Sequence, residues 1–271
     1  MKRRLIALTV LAVYSAIVLA GCASPNATPA ATATHPTPPA LSGSPALSGS
    51  IVVDAASSLT GTFDTIAVGF EKRHPGATVS FNYGGSGALA ASIVAGAPVD
   101  VFAAASAATM TTVSTANLTA GTPATFVKNE LEIVVPAGNP GKITGLADFA
   151  DASKTIALCD PAQPCGAAAA AVFAAAGITS APDTLEPDVK SALTAAELDQ
   201  VDAAMVYRTD VRAGGSRVAG IPFRSAAQFV VSYPIAALTA SKNPKLAAAF
   251  VAYVLSTPAQ SILKHAGFIT G

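Results

Sequence analysis

The chain has 271 residues, enough for one large or two medium domains with a real core. Its 16 Lys and Arg balance 16 Asp and Glu, so the formal net charge is zero, and the basic face that a nucleic-acid partner normally needs is excluded. Apolar residues reach 51% while charged residues are only 12%; the apolar load is rich in Ala, which points to small side chains on helices, and no charge run forms a tail.

The first residues are not expected to belong to the fold. Met1-Lys2-Arg3-Arg4 is a positive n-region, and Leu5 to Ala20 is an apolar h-region. The run falls short of the roughly 20 residues of a spanning helix, so a signal peptide over 1–21 is predicted. It ends in Leu19-Ala20-Gly21-Cys22, which resembles the lipobox of bacterial lipoproteins. That resemblance implies lipidation of Cys22 after cleavage; an ordinary signal peptide with an incidental Cys is the alternative. Residues 22–49 are dominated by Pro, Ala, Thr, Ser and Gly, a composition that cannot bury a core and reads as a flexible tether. Anchor, tether and globular part together predict an extracytoplasmic protein held at the cell membrane.

With Cys22 assigned to lipid, Cys159 and Cys165 remain. Two cysteines in an oxidising compartment can pair. The alternative is two free thiols. A metal pair is not expected, because no His or further Cys lies nearby.

Strand and helix patterns alternate from Ser50 onward. Ile51 to Ala55 reads as a strand. Leu59, Phe63, Ile66 and Phe70 form the apolar stripe of a helix ending near His74-Pro75-Gly76. Thr78 to Tyr83 is a strand, Gly84 to Gly87 a turn, Ala88 to Ala95 a short helix, Val99 to Ala104 a strand and Ala107 to Thr115 a helix. A new strand is expected at Leu131 to Val135, a short helix at Leu146 to Ala152 and a strand at Thr155 to Cys159. An Ala-rich helix follows over Gly166 to Ala176 with Gly177 as its stop. Val189 to Leu198 reads as a helix, Ala203 to Tyr207 as a strand, Asp210 to Ala213 as a helical turn, Arg217 to Pro222 as a strand and Phe229 to Leu238 as extended. Lys245 to Leu255 and Pro258 to Ala266 close the chain as helices, with Thr257 as the N-cap of the second.

Repeated β-α units imply mainly parallel sheets. The length suggests an α/β fold of two lobes, with residues 50–130 and 234–271 forming lobe 1 and residues 131–233 forming lobe 2. Ligands on such sheets bind beyond the carboxyl ends of strands, between lobes. Ser58, the Gly84-Gly85-Ser86-Gly87 turn, Cys165, Val189 and Tyr207 all fall at strand-to-helix turns. A helix start offers up to four free N–H groups, and each bond to a charged group contributes roughly 1.5–3 kcal/mol. No Lys or Arg belongs to the set. Such a group of neutral donors suits a fully ionised oxyanion. Taken singly, Ser58 and Ser86 also read as plain N-caps and Tyr207 as a core aromatic; the convergence carries the hypothesis.

From Ser50 to Gly271 the sequence resembles the periplasmic molybdate-binding proteins of ABC transporters, a type II solute-binding family. The matching motifs are AASSLT at 55–60, GSGALAASIVAGAPVDVFAAAS at 85–106, CDPAQPCG at 159–166, PDVKSAL at 187–193, AAMVYRTDV at 203–211, YPIAAL at 233–238 and GF at 267–268. The resemblance implies a two-lobed periplasmic-binding-protein type II fold, each lobe a mostly parallel sheet flanked by helices, with the ligand in the interlobe cleft. It also implies a tetrahedral oxyanion held by the hydroxyls of Ser58, Ser86 and Tyr207 and by the main-chain N–H groups of Cys165 and Val189. The family pattern has a small residue where Cys165 stands and a loop one residue longer before it; a main-chain contact survives both changes. The implied protein is a monomeric lipoprotein receptor that captures molybdate, and tungstate, and delivers it to an ABC permease, with no cofactor and no catalysis. Two other readings are a receptor for another tetrahedral oxyanion or small anion, and an enzyme using Cys165 as nucleophile. The second is disfavoured by the histidines, since His35, His74 and His265 have no evident reason to meet Cys165.

Overall fold

The computed structural model describes residues 47–271. The predicted signal peptide, Cys22 and most of the tether lie outside the described residues.

The chain alternates strands and helices as β1 (Ser48–Ala56), α1 (Thr62–Arg73), β2 (Gly76–Gly84), α2 (Ser86–Val94), β3 (Val101–Ala103), α3 (Ala107–Thr115) and β4 (Ala124–Asn129). It continues as β5 (Leu131–Pro136), β6 (Ile156–Cys159), α4 (Pro164–Ala176), β7 (Thr184–Glu186), α5 (Val189–Glu197), β8 (Ala203–Tyr207), α6 (Arg208–Gly214) and β9 (Val218–Ile221). It closes with β10 (Val231–Ala237), α7 (Pro244–Val254) and α8 (Thr257–Ala266).

Two five-stranded sheets result, ordered β2-β1-β3-β10-β4 and β7-β6-β8-β5-β9. The two orders are the same pattern. A first strand, β1 or β6, is flanked by two parallel neighbours, and two antiparallel pairings, through β10 to β4 or through β5 to β9, complete each sheet. The sheets are therefore mixed: four of the five strands in each run the same way, as expected of a mostly parallel sheet, and one, β10 or β5, runs against them. The antiparallel pairings are where the chain passes between sheets: β4 ends at Asn129 and β5 starts at Leu131, and the return runs from β9 into β10. The return strand pairs with the first sheet from Val231 onward, so the expected boundary at 233/234 falls inside β10. The first sheet also starts earlier than residue 50. Ser48 and Gly49 extend the parallel ladder opposite Gly76 and Ala77, and Asn243 Nδ2 donates to the Ser48 carbonyl at 3.0 Å.

Period-two alternation explains how the first sheet buries both faces. Val101, Ala103, Ile235 and Ala237 join the main core under α1 and α7, whereas Phe102, Ala104, Ala236 and Leu238 join a second cluster with α2 and α3. The Leu59, Phe63, Ile66 and Phe70 stripe is fully buried, as its spacing predicts. Phe63 packs its ring at 6.0, 5.7 and 6.3 Å from those of Phe81, Phe126 and Phe250. Gly177 ends α4 in the left-handed conformation, φ 66°, where a side chain would be strained.

Three local expectations differ. Thr184–Glu186 is an edge strand that the sequence pattern does not announce, since its residues are half-buried or exposed. β4 is a separate strand before β5. The cap of α8 is Ser256, not Thr257, and its hydroxyl donates to the Tyr253 carbonyl at 2.6 Å instead of capping. Prolines fit only the first turn of a helix, and Pro258 as second residue shifts the cap back to Ser256.

Phe63→Ala should cost about 3–5 kcal/mol in urea unfolding, the range for emptying a buried aromatic site. Val68→Thr, on the 67% exposed face of the same helix, should change stability by no more than about 0.5 kcal/mol.

Candidate functional site

Because both sheets follow one order, corresponding strand ends face each other. Six of them line one small cavity of about 10 Å³. The first sheet contributes the turn after β1 (Ala56, Ser57 and Ser58), the β2–α2 junction (Gly84, Gly85 and Ser86) and Ala105 after β3. The second contributes Pro164 and Cys165 at the start of α4, Val189 at the start of α5, and Tyr207 at the end of β8. All five sequence-derived residues, Ser58, Ser86, Cys165, Val189 and Tyr207, are in this lining, and no charged side chain is.

The local geometry turns hydrogen-bond donors into the cavity. Ser58 does not cap α1. It sits in a short 3-10 turn, Ser57–Leu59, and α1 begins four residues later behind Gly61. Its Oγ lies 2.9 Å from the Tyr233 hydroxyl. Ser86 is the first residue of α2 rather than its cap, which is Gly85. The Ser86 Oγ accepts from the Ala105 N–H at 3.0 Å, so its own proton is left to donate. Val189 opens α5 behind the cap Asp188, whose Oδ1 takes the N–H groups of Lys190 and Ser191 at 2.8 and 3.1 Å. The Val189 N–H is thereby left without an intrahelical acceptor. The Cys165 N–H is free for the same reason, one residue behind Pro164 in the first turn of α4.

Tyr207 supplies the clearest signal. It is 1% exposed, and its hydroxyl is the buried side-chain polar atom with no hydrogen-bond partner among the described residues. Buried polar groups are nearly always paired, so an orphaned donor at a cavity wall points to a ligand atom. Burial pushes the phenol pKa well above its usual value, and Tyr233 and Asp210 add to the rise; the hydroxyl therefore keeps its proton.

Cys165 is bonded to Cys159, with Cα atoms 5.8 Å apart. Its sulfur is not a free thiol, which removes the nucleophile that an enzyme reading needs. Among the described residues no group of three or more His, Cys, Asp and Glu is arranged to hold a metal ion. A larger groove shares Ser57 with the cavity and is lined by Thr60, Tyr83, Glu186, Asp188 and Lys190. It is open and of mixed charge, so it lacks the directed donors of the enclosed site.

The two lobes are in direct contact around this cavity. The Gly87 N–H donates across to Gln163 Oε1 at 3.0 Å. A Cβ on Gly85 would strike Gln163 Oε1 and the Pro187 carbonyl, and one on Gly87 would strike the Ala162 carbonyl. Glycines at 85 and 87 therefore let the lobes close. Sequence reasoning missed Ser57, Ala105, Gln163 and Tyr233. Gly85 and Gly87 were visible only as a turn, although a Gly-Ser-Gly start after a strand is also a signal of close backbone approach.

This is the fold and site of a two-lobed binding protein that encloses a small solute. A profile described as bacterial extracellular solute-binding protein matches residues 51–269. The molybdate-binding protein ModA of Mycobacterium tuberculosis is 39% identical over 219 residues, covering 81% of this chain and 84% of that protein. Two solved structures share the fold. The periplasmic molybdate-binding protein of Azotobacter vinelandii has a TM-score of 0.68 at 21% identity, covering 82% of this chain and 99% of that one. The sulfate-binding protein SubI of M. tuberculosis has a TM-score of 0.70 at 16% identity, covering 81% and 86%. The chain belongs to the bacterial extracellular solute-binding protein family. Its members bind solutes outside the cytoplasm, so the protein is a receptor and not an enzyme.

Two tests follow from the geometry. Gly87→Ala should hinder lobe closure, and small-angle scattering should show a larger radius of gyration than for the unsubstituted chain. Burial pushes the Asp210 carboxyl up to about 7, against the pull of Lys190 and the Tyr207 N–H bond. Its folded pKa exceeds the unfolded value of 3.8, so the folded state holds the proton more tightly. Its favourable contribution is complete below about pH 4 and is lost as pH rises to about 7. Thermal unfolding should show the unsubstituted chain losing stability relative to Asp210→Asn over that window.

Proposed function

We propose that this protein captures molybdate, and also tungstate, outside the cytoplasm and delivers it to an ABC permease. The anion is held by the hydroxyls of Ser58, Ser86 and Tyr207 and by the N–H groups of Cys165 and Val189. In this reading residues 1–21 are a signal peptide, Cys22 carries lipid, and residues 22–49 tether a monomeric receptor to the membrane.

The carrying observation is the buried, unpartnered Tyr207 hydroxyl in a cavity that five donors share. An unpaired dianion is costly to bury, and donors without a counter-charge favour an oxyanion that carries no proton, because the main-chain N–H groups cannot accept from a protonated ligand and the Ser86 oxygen already accepts from Ala105. The relative named for molybdate covers most of both chains at 39% identity, which supports this anion over others. The fold alone does not choose, since a sulfate-binding protein shares it. In this reading size makes the choice: donors spaced for the larger oxyanion would leave some of sulfate's oxygens short.

Titration calorimetry of the full chain with molybdate, tungstate, sulfate and phosphate tests the reading. Tight binding of the first two, with sulfate and phosphate much weaker, is expected; equal affinity for sulfate would overturn it. Ser58→Ala and Ser86→Ala should each weaken molybdate binding by roughly 1.5–3 kcal/mol, the loss of a hydrogen bond to a charged group. Unchanged affinity in both would remove them from the site.

A further inference from the structure

The YPIAAL motif contains a residue that the binding site does not use directly. Tyr233 is fully buried on β10, at the register shift between Tyr233 and Pro234 where β10 pairs with β4. Such a shift re-aims a side chain. Here it sets the hydroxyl 2.9 Å from Ser58 Oγ.

The direction of that bond follows from its neighbours. Asn129, also fully buried, ends β4 at the other passage between the sheets. Its Oδ1 accepts from the Glu130 N–H at 3.0 Å. This fixes the amide, so Nδ2 is the donor: one proton goes to Thr209 Oγ1 at 2.8 Å and the other to the Tyr233 oxygen at 3.4 Å. Either oxygen of the Ser58–Tyr233 pair can donate; the Tyr233 oxygen already accepts from Asn129 and the neighbouring Tyr207 hydroxyl is not hydrogen-bonded to it, which favours Ser58 Oγ as the acceptor of the Tyr233 proton. With that direction Ser58 Oγ keeps its own proton for the cavity that Ser58 lines.

We infer that Asn129 and Tyr233 are positioning residues: a buried chain from Asn129 through Tyr233 to Ser58 holds the Ser58 hydroxyl as a donor into the oxyanion cavity. The inference rests on the proposed function above. The chain touches both strands that connect the lobes, β4 and β10, and reaches the second lobe at Thr209 in α6. Ser58 is therefore oriented from the passages between the lobes as well as from its own turn. Without the Tyr233 proton, Ser58 Oγ is free to rotate and accept, and the site loses a fixed donor.

A double-mutant cycle read by titration calorimetry with molybdate separates this role from simple packing. Tyr233→Phe keeps the ring and removes the hydroxyl. It should weaken molybdate binding about tenfold, the size of one net hydrogen bond, with the ligand-free unfolding midpoint held within a few degrees. In the Ser58→Ala background the same substitution should change affinity less than about twofold, because the group it acts through is gone. Asn129→Leu provides a second route, with the same weakening and the same loss of effect when Ser58 is Ala. Equal weakening in both backgrounds, or no weakening in the unsubstituted one, would overturn the assignment while leaving molybdate as the ligand. Failure of the unsubstituted chain to bind molybdate would overturn the proposed function, and this assignment with it.

Discussion

Holding an anion without a counter-charge is the constraint to which this architecture answers. In a cavity with no charged lining, stabilisation must come from N–H and O–H dipoles, and one such bond is far too weak to offset desolvation. Several must therefore be brought to one point and fixed there beforehand. Strand ends do this efficiently, because each turn into a helix exposes main-chain donors that the helix itself cannot use. Repeating one strand order in two sheets places three such ends on either side of the cavity.

The second requirement is that water be excluded while the lobes remain separable. Glycines at 85 and 87 permit main chain from one lobe to approach the other closely, and Gln163 accepts across the gap. The passages between the lobes lie in β4, β5 and β10, which pair antiparallel with their neighbours and where few residues link two cores. Asn129 and Tyr233 sit at those passages, both fully buried. Polar groups so deeply placed are costly unless they are paired, and here each hydrogen bond also fixes the direction of the next.

Much of this was legible in the sequence. The apolar stripe from Leu59 to Phe70 gave α1, the Ala-rich run with Gly177 gave α4 and its stop, and the positions of Ser58, Ser86, Cys165, Val189 and Tyr207 at strand ends put them in one cavity. The rest failed for physical reasons. Thr184–Glu186 is an edge strand with little burial and so no alternation to detect. Ser58 and Ser86 looked like caps because local sequence cannot show that their oxygens already bond distant partners, Tyr233 and Ala105. Asn129 and Thr209 are 80 positions apart and meet only through tertiary structure. The mixed sheets likewise depend on where the chain crosses between lobes, which strand-by-strand periodicity does not encode.

The central claim is that molybdate sits among these neutral donors. Crystals of the chain grown with molybdate, measured at the molybdenum absorption edge, test it most directly. The account predicts one strong anomalous peak in the cavity, its oxygens within hydrogen-bond distance of Ser58, Ser86 and Tyr207 hydroxyls and of the Cys165 and Val189 N–H groups. An empty cavity with the peak elsewhere on the protein would contradict it.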